Sequence, residues 1–162
     1  VDGTMVSLSD FEDARGFIVI FTCNTCPYAK AYESRIIKLH KKYAPLGYPV
    51  IAINPNDPAI QPGDSYEAMQ ERAADKGFPF PYLIDESQEV ARAYGATRTP
   101  HVYLLSADRE VMYIGAIDDN YKSDDPGNTK YVEQAIEAMR SGKNIDKAVT
   151  KAIGCTIKWN GS

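Results

Sequence analysis

Cys23-Asn24-Thr25-Cys26-Pro27 stands between a solid apolar run, Phe17 to Phe21, and a long helical pattern that begins near Tyr28. Two thiols therefore sit where a strand becomes a helix. A helix start offers backbone N–H groups with no partner inside the helix and a partial positive charge, and both favour a thiolate over a thiol. With Cys23 as the cap, Pro27 falls inside the first turn, where its missing N–H costs no intrahelical bond. Two intervening residues on such a turn bring the sulfurs close enough to join with little backbone movement. Cycling between dithiol and disulfide is the expectation, with Cys23 the more exposed and more acidic thiol and hence the nucleophile. Cys26 is the resolving thiol, one turn deeper.

A C-x-x-C is also half of many zinc sites, but those need two further ligands, usually a second close Cys or His pair. Only Cys155, His40 and His101 remain, with no second short pair, so neither a metal nor an organic cofactor is expected. A structural or vestigial pair is the remaining alternative.

A chain of 162 residues reads as one domain over 1–162, with 143–162 an irregular tail packed on it. At this size a fold buries about 70% of its unfolded surface and needs no disulfide to hold it, so the cysteines are free for chemistry. A net charge of −4 and no Lys/Arg cluster interleaved with aromatics argue against nucleic acid as a partner. No apolar run approaches a membrane span, and Val1 to Asp10 lacks the basic and apolar regions of a signal peptide. The cytoplasm is favoured; a periplasmic or exported location requires that a leader was removed.

In order, Val1 to Asp13 reads as a turn, a short strand carrying Val6 and Leu8, and a helix or turn signal at Ser9-Asp10. Phe17 to Phe21, rich in branched and aromatic residues, fits a strand covered on both faces. The helix from about Tyr28 to Tyr43 puts Tyr32, Ile36, Leu39 and Tyr43 on one stripe, and Pro49 to Ile53 is a second buried strand. Asp64 caps a helix that Gly77 ends, with Glu67 completing a capping box. A short strand at Tyr82 to Ile84, a short helix at Glu89 to Tyr94, a hairpin of His101–Leu105 with Val111–Ala116, and a helix from Tyr131 to Arg140 follow. Ile117 to Asn128 reads as a polar surface loop, whose acids Asp118, Asp119, Asp124 and Asp125 are solvated and match no calcium-loop spacing. His40, among lysines, reads as solvated. Tyr28, Tyr32 and Tyr43 read as packing residues.

This order, with Thr99-Pro100 before the hairpin, resembles the thioredoxin-like fold, which implies an α/β protein of three α/β/α layers around a central mixed sheet. More closely, Thr22 to Tyr28, Ala52 to Asp57, Phe78 to Leu83, Ile117 to Lys122 and Gly154-Cys155-Thr156-Ile157-Lys158-Trp159 resemble the peroxiredoxin-like branch of the bacterial thioredoxin-like and AhpC/TSA families. The resemblance implies a cis bond at Pro100, with Thr99 facing the cysteine pair and offering backbone hydrogen bonds to an extended substrate. Asn24, Thr25, Thr99 and Pro100 then form the substrate rim. Arg98 and His101 are accessory candidates, read otherwise as a surface charge and a strand residue. Cys155 reads as a small buried apolar side chain near Trp159, with a second resolving or sensing thiol as its alternative.

The sequence departs from that pattern in places. The apolar segment that ordinarily precedes Asp2-Gly3 is missing, so either the sequence is short there or the first strand is lost. Phe17 stands where thioredoxins carry a buried acid, six residues before the first cysteine, which leaves Glu33, Asp57 or a water as proton acceptor. A peroxiredoxin's peroxide-reducing cysteine has Thr three residues before it; here Ile20 precedes Cys23 and Cys23 precedes Cys26 at that spacing. Thiol–disulfide exchange with protein or small-molecule disulfides, re-reduced by a thiol donor, is therefore the leading expectation. A thiol peroxidase comes second, and a redox-regulated binding module without turnover third.

Overall fold

A strand with no polar face must be covered on both sides, and β1 (Gly16–Phe21) is buried at every position. The structure, a computed structural model, describes residues 1–160. After β1 come α1 (Pro27–Tyr43), β2 (Val50–Asn54), α2 (Tyr66–Lys76), β3 (Tyr82–Ile84), α3 (Glu89–Tyr94), β4 (Arg98–Thr99), β5 (His101–Ser106), β6 (Val111–Gly115), α4 (Tyr131–Arg140) and β7 (Cys155–Thr156). Five strands form one mixed sheet in the order β3-β2-β1-β5-β6. β1 pairs with β2 in parallel and with β5 antiparallel, so the strand leading to Cys23 lies at its centre.

The two-residue period of a strand sends alternate side chains to opposite faces. Ile18 and Ile20 join Tyr32, Ile36, Leu39 and Tyr43 of α1 and Val132, Ala135 and Ile136 of α4 in one core. Phe17, Val19 and Phe21 meet Ala91 of α3 and Ile157 of the tail in the other, with Leu8, Phe11 and Trp159 packed against it. The three-layer α/β/α arrangement around a mixed sheet follows.

Four local expectations need correction. No strand forms around Val6 and Leu8; Leu8–Asp10 is a single 3-10 turn, closed by a box between Ser7 and Asp10. The cap of α2 is Ser65, which accepts from the Ala68 N–H, and Asp64 is turned inward instead. The stretch after β6 is not wholly solvated, because Asp118 is buried and paired with Arg35 and Tyr32. The tail is not wholly irregular, since β7 pairs antiparallel with β4. No helix among the described residues is long and apolar enough to cross a membrane.

Candidate active site at the C-x-x-C turn

A residue before proline is pushed to extended backbone, and proline itself suits the first helical position. Cys26 accordingly is the cap of α1, extended at φ −75° and ψ 127°, with Pro27 just inside the helix. This corrects the expectation that Cys23 is the cap: Cys23 lies in the turn between β1 and α1. Nor is Cys23 the exposed thiol, being 1% accessible against 3% for Cys26. Two donors face its sulfur: the Cys26 N–H donates at 3.4 Å, and the Thr99 hydroxyl at 3.3 Å is free to donate as well, while the Thr25 hydroxyl, 3.9 Å away, spends its proton on Asp64.

Asp64 holds this turn in place. Its carboxylate is fully buried and accepts from the Asn24 N–H at 2.7 Å and the Thr25 hydroxyl at 2.8 Å, with Asn54 and Asn56 amides each at 3.0 Å. A buried carboxylate needs such a set of donors, and here they come from the end of β2 and the C-x-x-C itself. Asn24 also donates to the Gly63 carbonyl and accepts from the Tyr82 hydroxyl at 2.7 Å. Burial, reinforced by the neighbouring Cys23 and Asp64 charges, raises the Tyr82 phenol well above its ordinary value, so it remains a donor. Sequence reading missed this network because Asp64 carries a plausible local capping pattern. Glu33 and Asp57, the acids considered there, face elsewhere: Glu33 pairs with Arg72, and Asp57 accepts from the Ala59 N–H.

Thr99-Pro100 is cis, and both residues are buried. Thr99 lies against the cysteine pair, its hydroxyl at Cys23 and its carbonyl 3.4 Å from the Cys26 sulfur. The latter is a contact, because Cys26 is bonded to Cys155 and a disulfide sulfur carries no proton. That bond, across a Cα separation of 6.0 Å, corrects the reading of Cys155 as a buried apolar side chain. Cys155 is half-buried, pairs in register with Thr99 and packs against Cys23, Cys26 and Ala29.

The backbone edge expected to meet a substrate thus carries the chain's own tail. Arg98 faces Thr156 across the two strands and is exposed, and the Ile157 N–H donates to the Thr97 carbonyl. His101 is buried at the start of β5, stacks on Tyr103 and accepts from the Thr97 N–H. Burial, then the Arg98 charge, lowers its pKa, so it sits beside the site as a neutral ring. His40 is not solvated either: it is half-buried and accepts the Val50 N–H at 3.1 Å. Among the described residues no group of three or more His, Cys, Asp or Glu side chains is placed to hold a metal.

Sheet order, a C-x-x-C at the strand–helix junction and a cis-proline loop against it define a thioredoxin-like protein. The profile of the AhpC/TSA family matches residues 1–114, and the chain belongs to that family. It is 27% identical over 115 residues to the thiol-disulfide oxidoreductase ResA of Halalkalibacterium halodurans, a match over 70% of this chain and 60% of that one. The chain thus spans about 60% of that relative's length. A crystal structure of an uncharacterized conserved protein from Geobacillus kaustophilus superposes with a TM-score of 0.92 at 37% identity, over 100% of this chain and 86% of the other. A thioredoxin-family thiol:disulfide interchange protein from Chlorobium tepidum TLS shares the fold alone, at a TM-score of 0.59 and 18% identity over 70% of this chain and 76% of its own.

Proposed function

We propose that this protein is a thiol–disulfide oxidoreductase acting on protein disulfides. The observation that carries the reading is the seating of the C-x-x-C turn against the cis Thr99-Pro100 loop, with Cys23 between the Cys26 N–H and the Thr99 hydroxyl. In the reduced protein the Cys23 thiolate attacks one sulfur of a substrate disulfide, forming a mixed disulfide and releasing the other substrate sulfur as a thiolate. The donors around Cys23 suit an anionic sulfur at the start of this step. Cys26 then loses its proton and attacks the Cys23 sulfur, and the second substrate thiolate leaves. The substrate gains two electrons and the protein holds a Cys23–Cys26 disulfide, which a thiol donor later reduces. Thr25, Thr99 and Pro100 form the rim of the site. Asn24, whose amide is spent on Gly63 and Tyr82, positions the turn. Because Cys23 is 1% accessible, substrate reaches it only when a covering segment moves aside.

The test compares insulin-disulfide reduction with peroxide consumption in one dithiol buffer, for the native protein and Cys23→Ser. Disulfide reduction that the substitution abolishes, without peroxide turnover, is the expected outcome. Cys23-dependent peroxide consumption without disulfide reduction would replace this reading with a thiol peroxidase.

A further inference from the structure

Resting on that reading, we propose that Cys155 is a third redox thiol, which takes over the disulfide from the C-x-x-C pair and presents it to the electron donor. The observations are the Cys26–Cys155 bond with Cys23 left free, the position of Cys155 opposite Thr99, and the half-buried Cys155 packed against the buried Cys23 and Cys26. The tail that carries it is built into the fold. The Lys158 N–H donates to Asn56 Oδ1 at 2.9 Å, Gln88 Nε2 donates to the Lys158 carbonyl at 2.8 Å, and the Asn160 N–H donates back to Gln88 Oε1 at 2.8 Å. A Cβ added at Gly154 would run into the Thr99 carbonyl, 2.6 Å from its carbon. No side chain fits between the tail and the cis-proline loop.

The step balances without an outside oxidant. Once exchange has left a Cys23–Cys26 disulfide, the Cys155 thiolate attacks the Cys26 sulfur. The Cys26–Cys155 bond forms, the Cys23–Cys26 bond breaks, and Cys23 departs as a thiolate toward the Cys26 N–H and the Thr99 hydroxyl. The protein's oxidation level is unchanged. A dithiol donor then attacks Cys155, releasing the Cys26 thiolate, and its second thiol attacks the mixed disulfide, freeing Cys155 and leaving the donor oxidised. Substrate and donor therefore act on different cysteines.

The experiment adds limiting oxidised glutathione to the fully reduced protein, blocks free thiols with an alkylating agent at successive times, and maps the linked peptides. With the alkylation done in denaturant after an acid quench, so that buried thiols are reached, a Cys23–Cys26 link is expected first in the native protein, giving way to Cys26–Cys155 with Cys23 alkylated. Cys155→Ser is expected to stop at Cys23–Cys26. Gly154→Ala, which keeps all three thiols, is expected to slow the transfer. Glutathione reduction that ends in Cys23–Cys26 with Cys155 alkylated would overturn the relay and leave the oxidoreductase standing. A native protein that does not reduce glutathione or insulin would overturn the oxidoreductase reading and the relay with it.

Discussion

Asp64 shows how one side chain holds the geometry of the C-x-x-C turn. It accepts four hydrogen bonds in a fully buried position, two of them from Asn24 and Thr25 between the cysteines. Removing an acceptor strands its donors, and each stranded buried donor costs about 1–3 kcal/mol. Asp64→Ala is therefore expected to destabilise the fold by about 3 kcal/mol or more in urea unfolding, and to raise the alkylation rate of Cys23 in the reduced protein. A loss below about 1 kcal/mol with unchanged alkylation would contradict this role. The cysteine pair itself was readable because spacing and a following proline are local signals. Asp64 was not, because its local signal pointed to a helix cap and its real partners are 8 to 40 positions away in sequence.

The same division holds for whole elements. The runs Phe17–Phe21 and Pro49–Ile53 and the stripe Tyr32, Ile36, Leu39, Tyr43 identify strands and a helix because a face that must be buried repeats at the period of its element. The body of α1 was legible to within a residue, but its cap was placed three positions early, since the argument for Cys23 overlooked how Pro27 forces Cys26 into extended backbone. β7 escaped notice for a different reason. It is two residues long, it pairs with Arg98 and Thr99, and Asn56 and Gln88 hold Lys158 just beyond it, none of these partners being near it in sequence. Asp118 was hidden likewise: its acid-rich loop looked solvated, while the balancing Arg35 lies on α1, 83 positions earlier.

At the scale of the molecule, β1 delivers the cysteine turn to the end of a sheet clamped between two cores, and the tail closes over that end. Two half-buried or buried histidines make this arrangement sensitive to acid. Burial lowers the pKa of His40, and burial with the Arg98 charge lowers that of His101. The folded state therefore binds these protons less readily than the unfolded chain. Their contribution is intact above the unfolded value of about 6.5 and is lost as pH falls through the lower folded values. The urea midpoint is expected to drop between about pH 7 and pH 5, and to drop less in His40→Gln, whose amide oxygen can still accept the Val50 N–H. An equal drop in both proteins would remove His40 from this explanation.

The central claim is that Cys23 makes the first covalent bond to substrate, and trapping that bond tests it most directly. A protein carrying Cys26→Ser and Cys155→Ser cannot resolve a mixed disulfide, so exposure to a disulfide-containing protein should leave it linked through Cys23, as peptide mapping by mass spectrometry would show. A double variant that folds, keeps a free Cys23 and forms no such link would contradict the claim.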